Sequence, residues 1–341
     1  MVDITYEKYL KEKTKEFLEA SSLYGNGIPR LSHQFVNNNA DIYDSLGPDP
    51  REEVSEITEF LRWSRGTPNK VAYWETTDSE ELYNRNIKNQ VYKNIFREYN
   101  YLKPIEYKHN SEGFRSDEFV GKGVATFGDS YTYGTGLRLE ETWGNKLAKK
   151  LNVNHFNFGI SGTSSDTAFR LLSSYIDYLD IEVVAVFTPS SERREGTAYN
   201  VFPEPHPFKY KNLAYGLWSA YKVNALNPDY KYIDTYVDTF YLNDPARIVN
   251  QTKNLLALEM LCNQKNIKFV AINISDFRKF MSYKFFDDSD PNLTPLCRAR
   301  DLQHWGSVTH DIICDLFLNR LNKEDKNFTL EDYDISLSKI L

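Results

Sequence analysis

Val124-Ala125-Thr126-Phe127-Gly128-Asp129-Ser130 is the stretch on which the fold of this chain turns. Four residues suited to a buried strand run into Gly-Asp, and a serine follows on the turn. A serine so placed is held out at the end of a strand, where it can attack. From here the pattern becomes regular. Thr142 to Leu151 has helical spacing, with Trp143, Leu147 and Leu151 on one stripe. His155 to Phe158 reads as a strand running into Gly159. Ser164 to Leu179 reads as a helix, opened by the cap cluster Thr163-Ser164-Ser165-Asp166. Val183 to Phe187 is wholly apolar, as in a central parallel strand covered on both faces.

Residues 189–244 break this rhythm with Pro203, Pro205, Pro207 and many tyrosines. The alternation resumes with a helix over Ala246 to Gln264 and a buried strand over Ile267 to Ile274. A closing helix covers Val308 to Leu321. Such repetition predicts an α/β fold, a three-layer α/β/α parallel sheet with helices on both faces. Sites in these sheets gather outside the carboxyl ends of the strands, and Ser130, Gly159 and Thr188–Ser191 all follow strand ends. Upstream, residues 1–105 lack clean alternation. Helices are expected at Tyr6–Leu18, Val54–Trp63 and Ile87–Tyr99, with a loop over roughly 37–50. This reads as a mainly helical N-terminal region, followed by the α/β domain over 106–325 and a tail over 326–341.

Near the far end stands Asp301-Leu302-Gln303-His304. An aspartate three residues before a histidine can hydrogen-bond the ring and fix its tautomer. With Ser130 as nucleophile and His304 as general base, this completes the parts of a Ser-His-Asp machine. Each residue also has a plain alternative. Ser130 would be a capping serine, Asp301 a cap for the helix near Gly306, and His304 a surface histidine.

Composition narrows the function. The chain has 341 residues and a net charge of −7, with a pI near 5.5. Neither the balance nor any basic run suits a nucleic-acid partner. The 24 Tyr and 21 Phe are expected mainly as core filling. Cys262, Cys297 and Cys314 form no CxxC pair, which fits a reducing compartment. The six histidines show no metal-ligand spacing, and the reading needs neither metal nor cofactor. No apolar leader or membrane span is apparent, so a soluble cytoplasmic protein is expected.

The motifs in this order resemble the SGNH/GDSL hydrolase superfamily. Its first block is similar to Phe127-Gly128-Asp129-Ser130-Tyr131-Thr132-Tyr133-Gly134, its second to Asn157-Phe158-Gly159-Ile160-Ser161-Gly162, and its last to Asp301–His304 with Trp305-Gly306. Asn110-Ser111-Glu112-Gly113-Phe114-Arg115 looks like a lead-in of some bacterial and viral members. The resemblance covers roughly residues 107–322. It implies a flavodoxin-like fold and ester hydrolysis, with the backbone N–H groups of Ser130 and Gly159 as oxyanion donors. The third block departs from the pattern. Where the family has Gly-x-Asn-Asp, this chain has Thr188-Pro189-Ser190-Ser191, which puts Ser190 in the place of the asparagine.

The resemblance implies a serine esterase, with a small acyl ester or acylated glycan as substrate and the 189–244 insertion walling the pocket. An acyltransferase on the same site is one rival. The other is a non-catalytic structural or adhesion protein, for instance virion-associated, that keeps the fold and assembles into a larger particle through its N-terminal region.

Overall fold

The computed structural model describes residues 61–64, 66–75, 77–90, 93, 104–199, 208–210, 213–220, 244–278 and 298–322. The chain divides into two compact units, Met1–Ile57 and Thr58–Leu341. The first unit, Cys297, the expected helix over Tyr6–Leu18, the loop at 37–50 and the tail over 326–341 lie outside the described residues. So does most of the expected Val54–Trp63 helix, of which Leu61 and Arg62 are helical.

A short two-stranded sheet precedes the main one. β1 (Val71–Ala72) precedes α1 (Glu80–Asn86) and pairs antiparallel with β2 (Tyr107–Lys108). Of the expected Ile87–Tyr99 helix, Gln90 and Lys93 are helical and most of the rest lies outside the described residues. The Ser79 side chain caps α1 by accepting from the Leu82 N–H, and Glu80 and Glu81 occupy its first turn.

The sheet follows the expected alternation. β3 (Lys122–Phe127) leads through α2 (Ser130–Tyr133) to α3 (Trp143–Leu151) and β4 (Asn154–Asn157). Next come α4 (Ser165–Tyr175) and β5 (Asp180–Thr188). β6 (Arg194–Tyr199), β7 (Phe208–Tyr210) and β8 (Leu213–Ala220) fall inside the 189–244 stretch. α5 (Asp244–Gln264), β9 (Lys268–Asn273) and α6 (Ser307–Asn322) complete the unit. β4, β3, β5 and β9 lie side by side in that order, all parallel. Taken in chain order these strands run 2-1-3-4, the flavodoxin-like arrangement of a doubly wound sheet.

Both faces of the sheet are buried, and β5 shows how. Val183, Ala185 and Phe187 pack under α3 and α6 with Trp143, Leu147, Ile313 and Phe317. Val184 and Val186 point the other way, into Phe127, Phe156, Phe158, Leu171 and Leu258 beneath α4 and α5. Two-faced burial is why β5 reads as a continuous apolar run rather than an alternating one. The described aromatics largely fill this core, as with the Phe127 and Phe158 rings stacked at 4.8 Å. Caps set the helix ends: Ser164 accepts from the Asp166 N–H, and Asn152 closes α3 with a φ of 56°. Within the proline- and tyrosine-rich stretch, β6, β8 and β7 form an antiparallel sheet. Glu195 of β6 is tied to Arg170 of α4 at 2.6 Å.

Candidate active site

Ser130 sits on a turn that only glycine permits. A Cβ at Gly128 would stand 2.2 Å from Thr132 Oγ1 and 2.7 Å from the Phe187 carbonyl. Asp129, not Ser130, caps α2: its side chain accepts from the Tyr131 N–H at 3.1 Å. Its other oxygen pairs with Arg193 at 2.5 Å. The capping duty thus falls on the neighbour, and the serine hydroxyl is left for another partner.

That partner is His304. Ser130 Oγ lies 2.7 Å from His304 Nε2, and His304 Nδ1 lies 2.5 Å from Asp301 Oδ2. A carboxylate only accepts, so Nδ1 carries the proton and Nε2 offers its lone pair to the Ser130 hydroxyl. The Asp301 side chain is fully buried. Burial alone would push its carboxyl up. Hydrogen bonds from the His304 ring and backbone and from Thr77 outweigh that and hold it below the usual carboxylate range. Asp301 also caps its own turn, because Oδ1 accepts from the N–H groups of Gln303 and His304, both at 3.0 Å. Asp301 therefore does not cap the helix that starts at Ser307; one oxygen closes its own turn and the other holds the histidine.

The turn between them is strained. Leu302 has a φ of 58°, a left-handed backbone that costs a non-glycine residue on the order of 1 kcal/mol. Its side chain packs on Ile105, Tyr107 and Tyr133, and that burial offsets the strain. The Tyr131 ring meets the His304 ring edge-on at 5.1 Å and limits its freedom to turn.

The expected oxyanion donors fare unequally. The Gly159 N–H is already donating to Asn157 Oδ1 at 3.0 Å, so its expected role as a free donor needs correcting. Glycine is required there for another reason: a Cβ would stand 2.3 Å from the Tyr133 nitrogen. The close approach is to the helix that carries Ser130, not to a ligand. The N–H groups of Ser130 and Gly162 have no hydrogen-bond partner among the described residues. Gly162 has a φ of 75°. Its turn lies beside that of Ser130, because Thr163 Oγ1 donates to the Gly128 carbonyl at 3.3 Å. Ser190 is half-buried after β5, and its hydroxyl makes no hydrogen bond among the described residues.

No family model matches this chain. No curated protein matches it either. Among solved structures, it is similar to one described as a lipolytic protein of the G-D-S-L family from Desulfitobacterium hafniense DCB-2. That match has 12% identity and a TM-score of 0.29, covering 59% of this chain and 98% of the other.

The Asn110–Arg115 stretch has a structural task. Asn110 Oδ1 accepts from the N–H groups of Glu112 and Phe114. This turn delivers Arg115 into the interior, where it donates to the carbonyls of Glu106, Tyr133, Gly134 and Leu137. Those last three follow Ser130, so Arg115 fixes the exit of the nucleophile's helix. A cavity of about 490 Å³ opens beside it, between Tyr133, the Gly159–Ser161 loop and residues 64–75. Ser64, Thr67, Lys70, Glu75, His109 and Ser161 give it a polar wall. Burial pushes the Glu75 carboxyl up, but Lys70 and Tyr133 donate to it and hold it below the usual range.

His310 on α6 is buried and accepts the Trp143 N–H at 3.0 Å. Cys262 and Cys314 are free and buried. Among the described residues there is no cluster able to hold a metal ion and no helix long and apolar enough to cross a membrane.

Proposed function

We propose that this protein is a serine ester hydrolase working through an acyl-enzyme, with residues 106–325 as its hydrolase domain. The observation that carries this reading is the unbroken chain from Ser130 Oγ through the His304 ring to the buried Asp301. In the reaction, Ser130 Oγ attacks the ester carbonyl carbon while its proton passes to His304 Nε2. Asp301 holds the ring and stabilises the imidazolium. The tetrahedral oxyanion takes the N–H groups of Ser130 and Gly162, with the Ser190 hydroxyl as third donor. The imidazolium then protonates the departing alkoxide as the C–O bond breaks. Water, deprotonated by His304, attacks the acyl-enzyme and releases the acid and Ser130.

The alcohol half of the substrate is polyhydroxylated, so that the natural reaction removes a small acyl group, acetyl for example, from a carbohydrate. Support comes from the cavity beside Arg115, which is lined by Tyr133 of the Ser130 helix and by no triad residue. Its wall of hydroxyls, Lys70 and an ionised Glu75 can exchange hydrogen bonds with sugar hydroxyls. A fatty chain placed there would strip water from charged groups without replacing it. The acetyl choice itself follows the superfamily resemblance. The test is labelling with a fluorophosphonate probe. Wild-type protein should be labelled on Ser130, and Ser130→Ala and His304→Ala should not. Equal labelling of wild type and Ser130→Ala would sink the reading.

A further inference from the structure

Asp301 is fully buried, so its charge depends on the hydrogen bonds it receives. Two reach Oδ1 from the N–H groups of Gln303 and His304, and one reaches Oδ2 from His304 Nδ1. All three come from the aspartate's own turn. A further donor comes from far away in the chain: the Thr77 hydroxyl donates to Oδ2 at 2.8 Å.

Thr77 is held in place by the residue after it. The buried Asp78 carboxylate accepts from Arg300 Nε at 2.9 Å, from Arg300 Nη2 at 2.6 Å and from the Tyr107 hydroxyl at 2.5 Å. Arg300 also donates to the Tyr73 carbonyl and lies 3.9 Å over the Trp74 ring. Thr77 and Asp78 thus meet Asp301 and Arg300 as two adjacent rungs. The outer rung is a buried ion pair with side chains 3% and 1% exposed. Such a pair fixes register even where its net contribution to stability is small.

We infer that Thr77 is a positioning residue of the triad, one that fixes the Asp301 carboxylate rotamer and shares the charge that Oδ2 offers to His304. The inference rests on the hydrolase reading above for its catalytic meaning. With the hydroxyl present, the charge on Oδ2 is divided between two donors. Without it, the imidazolium is held more tightly and the carboxylate is freer to turn. Other groups that face the pair are the Ser130 hydroxyl, the Tyr131 ring, Arg300 beside Asp301, and His310 on α6. Arg278 and Arg298 lie toward Tyr131. All of them are retained when only residue 77 changes, so a difference between variants reports on the hydroxyl.

The experiment compares Thr77→Val and Thr77→Ser with wild type by steady-state kinetics on p-nitrophenyl acetate, from about pH 5 to about pH 9. NMR titration of the His304 ring runs in parallel. Thr77→Val should lower kcat about tenfold, leave KM within about twofold, and move the acid limb up by about half a pH unit. Thr77→Ser keeps the donor and should restore both. A wild-type kcat and pH profile in Thr77→Val overturns the inference. So does an equal loss in Thr77→Ser, which would mark a lost methyl contact rather than a lost donor. The ring titration needs no substrate and separates the two claims. A shift in Thr77→Val together with no probe labelling of wild type keeps the Thr77 coupling and removes the hydrolase. Labelling with no shift does the reverse.

Discussion

Asp301→Asn puts the proposed triad to a geometric test, because the structure says what the amide must do. Asparagine keeps one carbonyl oxygen and gains an NH₂ group that can only donate. Two placements exist. In the first, the oxygen stays on the Gln303 and His304 N–H groups and the NH₂ takes the place of Oδ2. The Thr77 hydroxyl can then rotate and accept from the amide. The His304 ring must give up its Nδ1 proton and carry it on Nε2, facing Ser130. In the second, the amide flips and its NH₂ opposes two backbone donors. Each buried donor left unmet costs about 1–3 kcal/mol, more than the tautomer change, so the first placement wins. Its consequence is a histidine that can no longer accept the serine proton. In serine proteases that use the same three groups, this swap lowers turnover about 10⁴-fold, or about 5 kcal/mol of barrier. The assay is kcat on a short-chain acetate ester, with near-UV circular dichroism to confirm folding. A folded variant within about tenfold of wild type would refute the tautomer argument and leave Asp301 as a turn cap only.

Three further outcomes are expected. Burial pushes His310 down to about 3 from an ordinary 6.5, so its contribution is complete above the ordinary value and is lost as pH falls below it. Between pH 7 and pH 5 the loss is about 2 kcal/mol in urea unfolding. His310→Gln, whose amide oxygen can still accept the Trp143 N–H, should remove that loss; an undiminished drop in the variant would contradict the assignment. Ser190→Ala should lower kcat and leave KM unchanged, whereas Ser190→Asn, with its longer reach and fixed N–H, should preserve or raise kcat. No change in Ser190→Ala would take Ser190 out of the oxyanion site. Arg115→Lys should cost about 2–4 kcal/mol in chemical denaturation, because one ammonium cannot serve the four carbonyls the guanidinium now serves. An unaltered unfolding midpoint would show that water replaces the lost donors.

Local patterns made much of the sheet legible. β5 is a continuous apolar run because both of its faces are covered, and α3 carries Trp143 and Leu147 on one buried stripe. Asp301 and His304 were readable because they share one turn, and Ser130 because it ends a strand. What escaped was set by contacts distant in sequence. Thr77 and Asp78 reach Asp301 and Arg300 across 224 and 222 residues, and nothing near residue 77 hints at it. α1 was missed although a signal was present: Ser79-Glu80-Glu81 is a cap followed by an acidic first turn. Gly159 was legible as the residue ending a strand, but sequence does not say that a neighbour forbids a Cβ there. That neighbour is the Tyr133 backbone.

The dual use of Asp301 explains how a buried charge can be kept ready for chemistry. An ionised carboxylate without partners would neutralise by taking up a proton and lose its hold on the imidazolium. Here Oδ1 is committed to two backbone N–H groups that no step of the proposed reaction disturbs. That anchoring keeps the group ionised and fixes its plane, so the remaining oxygen points at His304 throughout. The strained Leu302 backbone belongs to the same device. Its left-handed φ closes the turn tightly enough for one residue to bond both the backbone and the ring of the residue three positions on. Turn geometry, capping and the proposed catalysis are then one arrangement. A change that relaxed Leu302 would be felt first at the distance between His304 Nε2 and Ser130 Oγ.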